Sequence, residues 1–148
     1  MSIPNPQMRR RARERAVQFL FGLEFTNYAW DTAIEDFWEN NPVRPTVKEY
    51  AEKLIAGVVV NREELDRRIG EAVENWTPER VGRIERSVLR VAAYEMLFCT
   101  DVPPGVAISE ALEVSKRFGS DEAPRFINGV LDKLAKNRAT SPGATESA

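Results

Sequence analysis

The chain of 148 residues is 43% hydrophobic and 30% charged, which is typical of one soluble globular domain, and its 21 basic against 23 acidic residues give a net charge of −2. It has no histidine and a single cysteine, which excludes a Ser-His-Asp or Cys-His triad, a common Cys/His zinc site and an internal disulfide. We therefore expect an intracellular, reducing compartment, the cytoplasm. No apolar run approaches the roughly 18 residues of a membrane span, and no glycine-rich loop cradles a nucleotide. These absences favour a protein that is not an enzyme and has neither a cofactor nor a metal.

The hydrophobic pattern is helical throughout the chain. Apolar residues recur every three or four positions, as on one face of a helix, and no stretch alternates like a half-buried strand. We predict an all-α fold of about seven helices, in chain order Arg9 to Phe25, Asp31 to Glu39, Thr46 to Val58, Asn61 to Val73, Thr77 to Phe98, Val106 to Phe118 and Asp121 to Leu134. Whether the fourth helix continues the third stays open.

Cap residues set several of these boundaries. Thr46 opens a Thr-Val-Lys-Glu capping box, Thr77 before Pro78 marks a helix start, and Gly119 marks a helix end. Residues 137–148 are small and polar, which predicts a disordered tail after a single domain of residues 1–136.

The small net charge conceals an uneven distribution. Residues 1–20 hold five arginines and one acid, for +4, whereas residues 21–148 hold 16 basic and 22 acidic groups, for −6. The five arginines are Arg9, Arg10, Arg11, Arg13 and Arg15. A basic head on an acidic body suggests a polyanion at one end and a basic protein on the other surface.

The arginine cluster has a functional and a structural interpretation. Guanidinium forks suit phosphate oxygens, and such a cluster gives salt-sensitive affinity for nucleic acid. The alternatives are a solvated helix face or a helix that binds a membrane surface or a calmodulin-like partner. Cations in the first turns of a helix oppose its dipole, which favours the functional interpretation.

Two further residues stand apart from the core pattern. At about 100° per residue, the apolar residues of the last helix occupy roughly a quarter of its circumference, and Phe126 lies at the edge of that arc. A flanking aromatic can stack on an unpaired base, although it can also form the lip of a core. Glu85 can meet a basic partner protein, or it can pair with Arg86 or Arg90 in its own helix.

Three stretches resemble the NusB family of bacterial transcription antitermination factors. They are the arginine-rich opening Arg9 to Gln18, the segment Val88 to Met96, similar to "LRxAxYEL", and the block from Val102 through Glu113 to Phe126–Lys133, similar to "DVPxxVAINEAIE…KFVNGVLDK". The matches cover most of residues 9–136, in order and at family-like spacing.

The resemblance implies a compact fold of seven helices in two small subdomains and a non-enzymatic RNA-binding function. It implies binding to the boxA element of nascent ribosomal RNA transcripts together with ribosomal protein NusE, in an antitermination complex with RNA polymerase. Carried over to this sequence, the RNA-binding residues are Arg9, Arg10, Arg11, Arg13, Arg15, Gln18 and Phe126. The residues implied at the NusE surface are Phe21, where many members have tyrosine, and Glu85.

Other classes of protein remain as alternatives. The same domain occurs as an RNA-binding appendage of ribosomal RNA methyltransferases, but the chain ends at Ala148 without a methyl-donor domain or a catalytic cysteine motif. A helical adaptor that binds only protein is a further alternative. A homodimer that hides the basic face also stays open.

Overall fold

The computed structural model describes residues 4–140, with side chains for residues 4–137. Within this part of the chain the secondary structure is helical, with no strand. Six α-helices follow one another: α1 (Pro6–Leu23), α2 (Trp30–Asn40), α3 (Pro45–Ala72), α4 (Arg83–Phe98), α5 (Pro104–Phe118) and α6 (Ala123–Thr140), with a 3₁₀ turn at Pro78–Arg80 before α4. The predicted all-α fold is confirmed.

The third and fourth predicted helices are one kinked element. Asn61 has non-helical backbone angles inside α3, at the residue where the second of these helices was expected to begin. Its side-chain amide donates to the Gly57 carbonyl at 2.8 Å, so the side chain covers an acceptor at the kink.

Several predicted boundaries differ from those in the structure. Arg44 rather than Thr46 is the N-cap of α3, because Pro45 takes the first helical position. Thr77 caps only the short 3₁₀ turn, and α4 starts anew after Gly82. The last helix extends to Thr140, four residues into the stretch predicted as a disordered tail, and residues 141–148 lie outside the described residues.

The helix α4 is central to the packing. It contacts α1 and α3 on one side and α5 and α6 on the other. Leu89, Ala93 and Met96 of α4 are almost completely buried within one connected cluster of apolar residues. The single cysteine, Cys99, is a packed residue at the end of α4, and burial raises the pKa of its thiol to about 11.

Helices α3 and α4 approach each other closely at Gly57. A Cβ atom there would fall inside the ring of Tyr94, and that ring stacks on Phe98 with centroids 5.4 Å apart. The glycine therefore makes room for an aromatic pair. Among the described residues, no helix is both long enough and apolar enough to cross a membrane.

Candidate nucleic-acid interface

The first helix, α1, carries its arginines on either side of a row of buried apolar residues. Asn5 caps α1, since its side chain accepts from the Met8 amide at 2.8 Å, and Pro6 follows at the first helical position. Ala12, Ala16 and Leu20 are buried against the core. The arginines that flank this stripe consequently fall into different environments.

Arg13 is a buried structural residue. Its side chain is 4% exposed and donates to both carboxylate oxygens of Glu95, at 2.7 and 2.9 Å, with Glu95 itself 1% exposed. Tyr50 donates its hydroxyl to the same carboxylate at 2.5 Å, and Glu110 lies 3.3 Å from the Arg13 guanidinium. Burial alone would lower the pKa of Arg13, but the hydrogen bonds and charge of Glu95 hold it above the ordinary value. RNA contact by Arg13 stays a prediction, and its burial argues against that role because the guanidinium is already paired with Glu95 and Glu110.

Arg9 and Arg10 are also paired within the molecule, but nearer the surface. Arg10 donates to both oxygens of Glu110 at 3.0 and 2.8 Å, and these bonds hold the pKa of Glu110 below its ordinary value. Arg9 donates to Asp101 at 2.9 Å, and its guanidinium lies 5.1 Å from the ring centre of Tyr50. These pairs fasten the basic helix to α3, α5 and the α4–α5 loop.

Arg11 and Arg15 are the least compensated of the five, since among the described residues Arg15 forms no ion pair and Arg11 only a long one. Arg11 is 55% exposed, and its nearest carboxylate, Glu14, lies 3.8 Å away. Arg15 donates to Gln18 at 2.7 Å, while burial and the nearby charge of Arg11 lower the pKa of Arg15. Gln18 therefore orients Arg15 on this face.

A groove of about 260 Å³ lies between α1 and α5. Its basic lining residues are Arg10, Arg11 and Arg117, the last of which lies exposed near the end of α5 and 3.6 Å from Glu14. We call this the α1–α5 groove. Phe126 is the fourth residue of α6, the next helix, and this residue is 44% exposed, as the periodicity predicted.

The two residues expected at a protein partner lie in the last turn of α1 and the first turn of α4, which contact each other. Phe21 packs edge-on against the exposed Phe25, with centroids 5.2 Å apart, and the Arg83 guanidinium lies 4.5 Å from the Phe25 ring centre. An ion pair between Glu24 and Arg86 joins the end of α1 to the start of α4, next to Glu85.

Neither of the two intrahelical partners considered for Glu85 pairs with it. Arg86 pairs with Glu24, and Arg90 donates to Asp66 at 3.1 and 2.9 Å. Glu85 instead lies over Gly82, at the start of its own helix.

The sequence pattern identified neither the acids that pair with the arginines of α1 nor two further arginines that line grooves beside α1, Arg117 and Arg44. Glu95 and Glu110 lie about 82 and 97 positions from Arg13, so no local pattern connects them. Arg117 follows directly after Lys116 at the end of α5, where cations suit the helix dipole. The sequence therefore explains Arg117 within its own helix and does not indicate that it lies near α1.

The fold and the composition of this face define a small helical protein with a groove lined by arginines. A protein-family model described as the NusB family matches residues 10–136. The chain belongs to the NusB family of transcription antitermination proteins.

Sequence relatives and solved structures agree with this assignment. The transcription antitermination protein NusB of Desulfotalea psychrophila is 47% identical over 133 residues, covering 86% of this chain and 94% of the relative, and that of Bacillus subtilis is 39% identical over 126 residues, covering 85% and 93%. T. maritima NusB superposes with a TM-score of 0.81 at 34% identity over 99% of both chains. A chain from a crystal structure of the antitermination factors NusB and NusE in complex with dsRNA has a TM-score of 0.80 at 26% identity, covering 89% of this chain and 98% of that one.

Proposed function

We propose that this protein is a transcription antitermination factor that binds boxA-type single-stranded RNA together with ribosomal protein NusE. In this function it acts on nascent ribosomal RNA transcripts in the cytoplasm and supports read-through by RNA polymerase. Family membership and the structural similarity to a NusB chain crystallised with NusE and dsRNA support an RNA-binding function alongside NusE.

The observation that carries RNA binding is the α1–α5 groove with its exposed and weakly paired arginines. Arg11 and Arg117 are more than half exposed and share a single carboxylate, Glu14, at 3.8 and 3.6 Å, so an arriving phosphate replaces only these long ion pairs. Arg15 and Gln18 lie on the same face of α1 as Arg11. Arg9 and Arg10 are also positively charged, although each already forms an ion pair within the protein. Phe126 supplies an exposed ring on which a base can stack.

A pair of phenylalanines provides the test of the stacking role. Phe126→Ala should cost about 1–3 kcal/mol of RNA affinity, roughly a 5- to 150-fold loss, measured by fluorescence anisotropy with NusE present. The matched control is Phe98→Ala, because Phe98 is 42% exposed against 44% for Phe126 but stacks on Tyr94. Equal RNA affinity of the two variants would refute the stacking role, and lost helix content in the Phe126 variant would assign it to the core.

The surface around Phe21 and Glu85 is proposed to bind NusE. It combines an aromatic pair, the half-buried Phe21 and the exposed Phe25, with the charges of Arg83 and Glu85. Aromatic and arginine side chains are the usual anchors of protein interfaces, and an acid suits a basic ribosomal protein.

A charge reversal tests the partner surface. Glu85→Lys should weaken NusE binding by at least about tenfold, since like charges across an interface repel, and calorimetric titration measures the loss. Glu79→Lys is the control, because Glu79 lies exposed in the neighbouring 3₁₀ turn. NusE affinity that is equal in the two variants would contradict the assignment.

A further inference from the structure

A second, larger groove lies on the other side of Arg11. It has a volume of about 600 Å³ and runs between the start of α1 and the loop that joins α2 to α3. Its apolar lining comes from Met8, Val43 and Val47, and Val47 is buried beneath it. This volume lies within the range of about 300–1,000 Å³ that suits a small organic group. We call it the α1–α3 groove.

The two arginines that line the α1–α3 groove are weakly paired within the protein. Arg44 is exposed, and no carboxylate of the described residues lies within ion-pair distance of it. Arg11, on the opposite side, has only Glu14 at 3.8 Å. In contrast, Arg10 and Arg13 each hold a carboxylate through two short hydrogen bonds. The groove therefore offers two arginines to an external anion, beside an apolar floor.

The two grooves are neighbours along α1. Gln7 and Arg11 line both of them, so they form the ridge between the grooves. A strand bound in the α1–α5 groove meets the α1–α3 groove as it crosses Arg11. The side-chain amides of Asn5 and Gln7 lie along that crossing, and the cap bond of Asn5 uses only its oxygen.

We propose that the α1–α3 groove binds one nucleotide of single-stranded RNA that flanks the segment held in the α1–α5 groove. The base packs on Met8 and Val43, and its phosphate lies between Arg11 and Arg44. This subsite rests on the proposed RNA-binding function and adds a site to it, because neither Arg44 nor Val43 belongs to the arginine-rich opening of α1.

The test compares a boxA-like RNA with the same RNA extended by three uridines at each end. Binding is measured by anisotropy with NusE present, at two salt concentrations about threefold apart. Arg44→Ala should lower affinity for the extended RNA by about 3- to 10-fold, reduce the salt slope by about 1 and leave the short RNA unchanged. The control Lys48→Ala removes an equal charge from the first turns of α3, outside the groove, and should leave both affinities within about twofold.

A filling variant separates occupancy from charge. Val43→Trp places a ring in the groove, so it should weaken binding of the extended RNA without changing the salt slope. Arg44 makes no side-chain cap bond, so Arg44→Ala removes no cap from α3, and circular dichroism should show an unchanged fold. If Val43→Trp does not fold, Arg44→Ala decides the question alone.

The outcomes distinguish the subsite from the function on which it rests. If Arg44→Ala and Lys48→Ala bind the extended RNA equally, while Phe126→Ala still loses affinity, the subsite is overturned and the function stands. If the wild-type protein binds neither RNA with NusE present, both are overturned.

Discussion

Replacing Glu95 with glutamine should destabilise this protein far more than a surface substitution would. The Glu95 carboxylate is 1% exposed and accepts two hydrogen bonds from Arg13 and one from Tyr50. Glutamine has the same shape, but it has no charge, and its amide nitrogen cannot accept a hydrogen bond from the Arg13 guanidinium, which only donates. The Arg13 guanidinium then stays buried with only Glu110 nearby, at 3.3 Å.

The magnitude follows from the burial of the pair. Breaking a buried ion pair by removing one partner costs about 3–5 kcal/mol, because a charge is left without compensation. For a chain of this length, a loss of 1 kcal/mol lowers the melting temperature by about 2–4 °C. Glu95→Gln should therefore lower it by roughly 6–20 °C.

Denaturant unfolding and calorimetry measure this effect. The control is Glu113→Gln, whose carboxylate is exposed and pairs only with Lys116 at 3.5 Å, so it should change the free energy of unfolding by less than about 0.5 kcal/mol. The triple variant Arg13→Met, Glu95→Leu, Tyr50→Phe should recover most of the lost stability, because it leaves no charge or hydroxyl unpaired. If Glu95→Gln were as stable as its control, the account of the buried pair would be refuted.

Two further predictions concern the same core. Glu110 has a lower pKa in the folded state than the ordinary glutamate value of 4.5. The free energy of unfolding should therefore decrease as the pH falls below 4.5, and the contribution of Glu110 disappears as the pH passes through its folded-state pKa. Glu110→Gln should flatten this pH dependence in denaturant titrations, and an unchanged dependence would contradict the role of the pair. Gly57→Ala should destabilise by about 1–3 kcal/mol, because its methyl group displaces the Tyr94 ring. In contrast Gly129→Ala, in α6 with open space around it, should stabilise by up to about 1 kcal/mol, and thermal melts showing the same sign for both glycines would refute the packing argument.

The features that the sequence predicts well are those encoded locally. The 3.6-residue period reports which face of a helix is buried, and it placed Phe126 outside the core as the structure has it. The same period predicted the helices, and a cap-like Asn61 marked the kink in α3. In contrast, Gly82 rather than Thr77 starts α4, because the chain first makes a 3₁₀ turn that no periodic pattern reveals.

The local sequence pattern does not reveal ion pairs between residues that are far apart in the chain. The dipole argument treated the arginines of α1 as uncompensated cations, whereas Arg13 and Arg10 are neutralised by Glu95 and Glu110 from other helices. Among the described residues, no acid from another helix offsets the charge of Arg11 or Arg15. Which arginines are available to an anion depends on packing between α1, α4 and α5, and that packing is known only once the chain is folded.

The most direct test of the central claim is RNA binding by the unmodified protein. A labelled boxA-like RNA and a scrambled RNA of equal composition are titrated with and without NusE, at two salt concentrations. The account predicts tighter binding of the boxA-like RNA with NusE present, and an affinity that falls with salt by a slope of about 0.7 per phosphate contacted. Equal affinity for the two RNAs, or no binding in the presence of NusE, would contradict it.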